Sequence, residues 1–350
     1  MKVKQLQSFL QEKKVDAAIF LNLNMQPDPN FFYLTRYAGH GCLVVPNHSS
    51  PYLLVAKMEH ERANKSAIRK IYPLQKKKLF EELKLHLGKM KRLGIDASSM
   101  TLQASKALRK HIKTNTVDVS KAMDDLRIIK TREELTYLKR ACAHADTIFR
   151  KAIKNFKDFK TESDVAAFLQ YETFKLGLDT SFKPIVASGK NGSMPHHEPQ
   201  PAKLNKGLCV IDFGVTYEGY CSDMTRTISI GNPSPREKQM YELLKHIQQN
   251  AIDHIKKNMK CGDLYNNVVK ALGKQSTYFT HGLGHGIGVE IHEAPNLTLD
   301  SKDMITPHMV FTIEPGVYFP TKFGIRIEDS VLFTEKPSPL TKTTKELISI

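Results

Sequence analysis

Asp212, Asp223, His285, Glu314 and Glu328 are the residues whose types and spacing could together do chemistry. Asp212 closes the apolar run Leu208-Cys209-Val210-Ile211, which has strand composition, and Asp223 follows a turn signal at Tyr217-Glu218-Gly219. An antiparallel hairpin centred between Tyr217 and Glu218 sets Asp212 directly opposite Asp223, both carboxylates on one face. The construction recurs downstream. Val310-Phe311-Thr312-Ile313-Glu314 and Gly324-Ile325-Arg326-Ile327-Glu328 flank Tyr318-Phe319-Pro320-Thr321-Lys322, and a hairpin centred on Thr321 sets Glu314 opposite Glu328. A single strand carboxylate is ordinarily solvated. Opposed like charges, however, destabilise a hairpin, and neighbouring carboxylates resist joint ionisation. Two such pairs, with an imidazole between them in sequence, are best explained by cations that remove the repulsion. Four carboxylates and one imidazole, with no thiolate, suit two divalent ions of manganese, cobalt, zinc or iron, manganese being the leading expectation.

Other polar residues fall near this set. Arg326 alternates with Glu328 on one strand face, so its planar guanidinium can orient carboxylates without binding metal. Thr225 stands two residues after Asp223, where its hydroxyl can steady a carboxylate; cross-strand pairing is the plainer reading of both. His281 and His285 are four apart, but Gly282, Gly284, Gly286 and Gly288 disfavour a helix and favour an open, closely approaching backbone. His292-Glu293 is not a zincin motif, because Ala294-Pro295 follows where a helix and a second histidine are required. His196 and His197 lie in a loop punctuated by Gly189, Gly192 and Pro195.

The segments Asp212-Phe213-Gly214, Ser222-Asp223-Met224-Thr225-Arg226-Thr227, His281 to Gly288, His292-Glu293-Ala294-Pro295, Thr312-Ile313-Glu314-Pro315-Gly316 and Gly324 to Asp329 closely resemble the pita-bread metallopeptidases. Within that family the match is to the Xaa-Pro peptidase branch, prolidase and aminopeptidase P. The resemblance implies a catalytic domain of two pseudo-equivalent halves with the metals in the cleft between them. It implies that Asp223 and Glu328 bridge two ions, that Asp212 binds one, and that His285 and Glu314 bind the other. A water held by both ions would then lose a proton near neutrality. Glu314 would take that proton and return it to the leaving nitrogen. His292 matches the substrate-contacting histidine, and His196, rather than His197, the one that meets the scissile carbonyl. His281 is a neighbour that orients the site. The implied substrate is a peptide with proline after its first residue, and relatives of this kind commonly form homodimers. A methionine aminopeptidase shares the ligand order, but the long preceding domain and the contexts of Pro195-His196 and Arg326 argue against it. A metal-free pita-bread protein, binding acidic partners through a basic N-terminal domain, is the rival of a different class.

Stepping outward, the elements that must position these residues form a two-domain chain of 350 residues. Residues 1–125 alternate strand and helix signals and read as a small mixed α/β domain. Helices are expected over Val3–Leu10 and from about Leu79 to Lys91, and strands at Ala17–Leu21, Gly41–Pro46, Tyr52–Val55 and Leu93–Asp96. A boundary falls near Ile129-Lys130-Thr131, where Thr131 and Glu134 form a capping box. Residues 126–350 read as an α+β catalytic domain, with helices over Glu162–Leu176 and Arg236–Lys256 flanking antiparallel hairpins.

The net charge is +16, and residues 1–125 hold 22 Lys and Arg against 11 Asp and Glu. The basic residues come in short pieces such as Lys76-Lys77-Lys78, without aromatic interleaving, so a solvated face is expected rather than a nucleic-acid surface. No apolar run is long enough to span a membrane, and Met1 to Ser8 has no apolar signal core. The five cysteines are odd in number and scattered, which fits a reducing cytoplasm.

Overall fold

The run Ala17–Asn22 is apolar almost throughout and has no polar face to offer water. In the computed structural model, which describes residues 2–23, 27–75 and 78–350, it is an interior strand with neighbours on both edges. Lys76 and Lys77 of the basic piece noted above lie outside the described residues. The chain divides into two units, Met1–Arg127 and Ile128–Ile350.

In the first unit, β1 (Ala17–Asn22), β2 (Gly41–Pro46), β3 (Tyr52–Val55), β4 (Lys70–Pro73), β5 (Arg92–Ile95) and β6 (Asn115–Asp118) form one sheet. Its order is β4-β3-β2-β1-β5-β6, antiparallel through β1, β2 and β3 and parallel elsewhere. Leu83 and Leu108, from the helices Leu79–Leu87 and Leu102–His111, bury against Ile19, Val44 and Leu93. The first of these helices stops short of the expected Lys91. Gly88 follows it with φ 62°, a left-handed conformation that suits glycine and ends the helix.

The second unit opens with the helix Arg132–Lys154, whose start is the reciprocal capping box of Thr131 and Glu134. Its strands are β7 (Asp179–Thr180), β8 (Ile185–Ser188), β9 (Gly207–Phe213), β10 (Val215–Tyr217), β11 (Tyr220–Cys221) and β12 (Met224–Ile230), followed by β13 (Gly284–Gly286), β14 (Glu293–Leu297), β15 (Met309–Ile313), β16 (Gly316–Phe319), β17 (Phe323–Arg326), β18 (Asp329–Phe333) and β19 (Pro337–Pro339). Two cores organise them. In the first, Ile148, Phe149, Val165 and Leu169 from the helices Arg132–Lys154 and Glu162–Phe174 pack on Val186, Ile211 and Ile228 of the β12-β9-β8 sheet. In the second, Leu244, Ile247, Leu264 and Val268 from the helices Pro235–Asp253 and Cys261–Leu272 pack on Phe311, Ile325 and Val331. Each half is thus a helix pair on an antiparallel sheet, an α+β layer arrangement.

Two registers decide where the carboxylates fall. β15 pairs with β18 from Met309↔Phe333 to Ile313↔Asp329, and β16 pairs with β17 from Gly316↔Arg326 to Phe319↔Phe323. The two ladders share one register about Thr321, and Glu314 and Glu328 occupy the facing positions in the gap between them. The other hairpin differs from expectation. β9 pairs with β12 so that Asp212 faces Thr225, and Asp223 precedes β12. The turn that sets this register is centred between Glu218 and Gly219, with φ 51° and 74°, one residue beyond the expected centre. Both central residues at positive φ match the twist of a two-residue hairpin turn, and Gly219 makes that turn accessible.

Thr321 itself is β-branched and exposed at φ 62°. Thr321→Gly should relieve that strain and stabilise the protein by about 0.5–1 kcal/mol after the entropic cost of glycine. Chemical denaturation of the two proteins checks this; a lower midpoint for the glycine variant would show the strain is absent.

Candidate metal centre

Asp212 is the penultimate residue of β9, Asp223 immediately precedes β12, His285 is the middle residue of β13, and Glu314 and Glu328 sit where the two downstream ladders part. All five line one cleft of about 580 Å³ within the second unit. Ligand atoms of Asp223, His285 and Glu328 lie within 4.8 Å of one another. Glu314 Oε1 is 3.3 Å from His285 Nε2, and Asp223 Oδ2 is 3.5 Å from the same nitrogen. The strand β13 carries a register shift between His285 and Gly286, a bulge of the kind that re-aims a side chain beside an active site.

The imidazole is oriented for coordination. His285 Nδ1–H donates to the Gly286 carbonyl at 3.1 Å, which leaves Nε2 facing the carboxylates, a donor to Glu314 when protonated and a ligand for a cation when not. Thr312 Oγ1 accepts from the His285 backbone N–H at 3.0 Å and donates to Glu314 Oε1 at 3.2 Å. One hydroxyl therefore fixes both residues.

The carboxylates are strained electrostatically. Burial and the neighbouring Glu328, Asp212 and Glu314 push the Asp223 carboxyl well above its usual range. Burial, then Glu314 and Asp212, do the same to Glu328. Burial also raises Asp212, partly offset by Arg326. Burial would raise Glu314 as well, but the His285 hydrogen bond and charge outweigh it and hold it low. Asp212 Oδ1, Asp223 Oδ1 and Glu328 Oε1 are each buried with no hydrogen-bond partner among the described residues. Buried acceptors are almost always paired, so three orphaned oxygens in a cleft shared with an imidazole nitrogen fit a cation. The donor set, four carboxylates and one nitrogen, fits a hard or borderline divalent ion.

Around this set runs a continuous hydrogen-bonded frame. Arg326 donates from Nη2 to Asp212 Oδ2 at 2.7 Å, from Nε to Thr225 Oγ1 at 3.0 Å, and from Nη1 to Tyr318 Oη at 2.8 Å and the Pro195 carbonyl at 3.3 Å. Thr225 Oγ1 in turn donates to Glu328 Oε2 at 2.7 Å. His281 Nδ1–H donates to the Gly282 carbonyl at 2.7 Å, so its Nε2 accepts from Tyr318 Oη at 2.8 Å. Burial lowers the His281 pKa and keeps that acceptor free. Sequence reasoning misses Tyr318 and Thr312: Tyr318 falls in the run that separates two expected strands, and Thr312 within one of those strands. His292 stands exposed with its ring centroid 4.2 Å from that of His285. His196 is exposed on the cleft wall, whereas His197 is buried, its Nε2–H donating to Glu162 Oε2 at 2.7 Å.

Residues 136–335 match the profile of metallopeptidase family M24, and residues 2–129 match the creatinase/prolidase N-terminal domain. The chain belongs to metallopeptidase family M24. An Xaa-Pro dipeptidase of Pyrococcus horikoshii is 34% identical, with 99% of this chain and 98% of that protein covered. Among solved structures, the prolidase from Pyrococcus horikoshii superposes with a TM-score of 0.91 at 32% identity, covering 99% of each chain. An Xaa-Pro dipeptidase from Bacillus anthracis gives 0.92 at 29% identity, covering 100% of this chain and 99% of that one. This chain is accordingly a two-domain metallopeptidase with a pita-bread catalytic domain.

The frustrated carboxylates make a stability prediction. In chelator, Asp223→Asn should be more thermostable than the unaltered protein, because one buried like charge is gone. Added divalent metal should reverse the order. A single ion at a hundred times its Kd stabilises by about 2.7 kcal/mol, and the asparagine variant should gain less. Thermal melts with and without manganese check this; equal metal-induced shifts in both proteins would remove Asp223 from the centre.

Proposed function

We propose that this metallopeptidase cleaves the bond between an N-terminal residue and proline, using two divalent ions. The observation that carries the reading is the set of buried, unpartnered carboxylate oxygens of Asp212, Asp223 and Glu328 in the cleft that His285 also lines. The named activity of its relatives, Xaa-Pro dipeptidases, supports the substrate class. Asp212, Asp223, His285, Glu314 and Glu328 would hold the ions between them; manganese suits this oxygen-rich set. When bound, the ions supply a water acidic enough to attack at neutral pH and a polarised substrate carbonyl.

The chain's own residues do the rest. Glu314, held ionised by His285 and oriented by Thr312, accepts a proton and delivers it to the departing proline nitrogen. That nitrogen carries no hydrogen in the substrate, so the cleft must supply the proton and recognise the imide by shape; Phe182, Ile185 and Ile291 give it an apolar wall. His196 and His292, exposed on the cleft surface, are placed to donate to a carbonyl oxygen that gains negative charge. Partial desolvation in the cleft, then the nearby His285, lower the His292 pKa and so favour the neutral ring, which donates through N–H. Arg326 and Thr225 hold Asp212 and Glu328 in place, and His281 is fixed by Tyr318.

No observation favours the methionine aminopeptidase reading or a metal-free binding role. Free and buried cysteines suit the reducing cytoplasm we assign. No helix among the described residues is long and apolar enough to cross a membrane. A homodimer is the assembly we propose, and sedimentation measures it.

The deciding assay compares Xaa-Pro dipeptides, Xaa-Pro-containing tripeptides and Met-Ala peptides, each with manganese, cobalt and zinc. Turnover of the proline substrates, abolished by chelation, is expected; turnover of Met-Ala peptides alone would overturn the reading. His196→Ala and His292→Ala should each lower turnover by about 10²–10³ while metal content stays constant. His285→Ala should instead lose metal, since it removes a coordinating nitrogen. Elemental analysis beside steady-state kinetics separates the two behaviours.

A further inference from the structure

Glu162 is the first residue of the helix Glu162–Phe174, and it is 1% exposed. A carboxylate so buried costs stability unless its lone pairs are used. They are used fully. Oε1 accepts from the Ser188 backbone N–H at 2.8 Å, from Ser188 Oγ at 2.8 Å and from Asn191 Nδ2 at 3.0 Å. Oε2 accepts from His197 Nε2 at 2.7 Å and from the Gln200 backbone N–H at 3.1 Å. Burial alone would raise this carboxyl, but these hydrogen bonds outweigh it and hold it below the usual range. The helix N-terminus adds its partial positive charge.

Every one of those donors belongs to the stretch 188–200, which leaves β8 and returns beside the helix. The same helix turn ties the far end of the stretch a second time: Ser163 donates its backbone N–H to the Gln200 carbonyl at 3.1 Å and its hydroxyl to the Pro199 carbonyl at 3.4 Å. Between the anchored points stand Pro195, whose carbonyl accepts from Arg326 Nη1, and His196, exposed on the cleft wall. Past β8 the stretch carries one short 3-10 helix, Gly189–Ser193, and no β-ladder among the described residues.

We propose that Glu162 is the positioning residue for His196: one buried carboxylate gathers the loop's donors and thereby sets the depth and orientation of the imidazole beside it. His197 is the nearest link, turned inward onto Glu162 while its neighbour faces the cleft. This rests on the reading that His196 meets the substrate carbonyl. Glu162 touches neither substrate nor metal, so its effect must pass through His196. That coupling is measurable.

The test is a double-mutant cycle on the manganese-loaded enzyme with an Xaa-Pro dipeptide as substrate. Glu162→Gln keeps the shape but places an amide N–H₂ against the donors that one carboxylate oxygen now satisfies. It should lower kcat by about 10–10²-fold, the cost of misplacing a group by about an ångström, with metal content unchanged. In the His196→Ala background the same substitution should cost less than about two-fold, because the coupled partner is already gone. Asn191→Ala removes a single donor and should show the same pattern in smaller form; it carries the test if Glu162→Gln does not fold. His197→Gln, which retains an N–H donor, should keep more activity than His197→Leu. Losses that multiply fully in the two backgrounds would overturn the positioning role while leaving His196 at the substrate. Full activity of His196→Ala itself would overturn the role of His196, and the proposal with it.

Discussion

Asp212, Asp223 and Glu328 each hold an oxygen out of water without a hydrogen bond among the described residues, and Arg326 pairs directly with Asp212. The effective penalty for burying an unpaired ion is several kcal/mol, so this arrangement has to be imposed by the rest of the unit. Two hydrophobic cores impose it: one packs β9 and β12 against the first helix pair, the other packs β15 to β18 against the second. The frame of Arg326, Thr225 and Tyr318 then consumes the acceptors facing away from the metal position and leaves free the ones facing it. A cation is the remaining partner.

The histidines around this centre are differentiated by what their other nitrogen does. His285 and His281 each donate from Nδ1 to the carbonyl of the following glycine, which exposes Nε2. For His285 that nitrogen meets carboxylates and so suits coordination once it has lost its proton; for His281 it is filled by the Tyr318 hydroxyl and is closed to metal. The same residue type, four positions apart, is a ligand candidate in one case and part of the frame in the other.

Much of this was legible in sequence, and the failures have physical causes. The Thr131 and Glu134 capping box is local chemistry, and it starts a helix where its spacing says. The facing of Glu314 and Glu328 follows from strands of clear alternation about one turn. The expectation that Asp212 faces Asp223 failed because hairpin register is decided by the turn, and Glu218-Gly219 adopts the two-residue form that shifts it. Gly219 was the available signal. Tyr318, Thr312 and Glu162 were invisible for another reason: their partners lie in other elements, and no spacing in the chain records such a contact.

The junction at Glu314 and Glu328 has a consequence for how this protein can vary over descent. Two ladders belonging to different sheets share one register about Thr321, and both carboxylates sit at the seam. The tip can exchange side chains freely, since Pro320, Thr321 and Lys322 are exposed. It cannot change length. One residue gained or lost there would slip two sheets and both carboxylates together, turning each to the wrong face. Lineages of this enzyme should therefore drift in letters at the tip while its residue count stays frozen, a constraint set by two carboxylates several rungs of the ladder back along the strands rather than by any need of the tip itself.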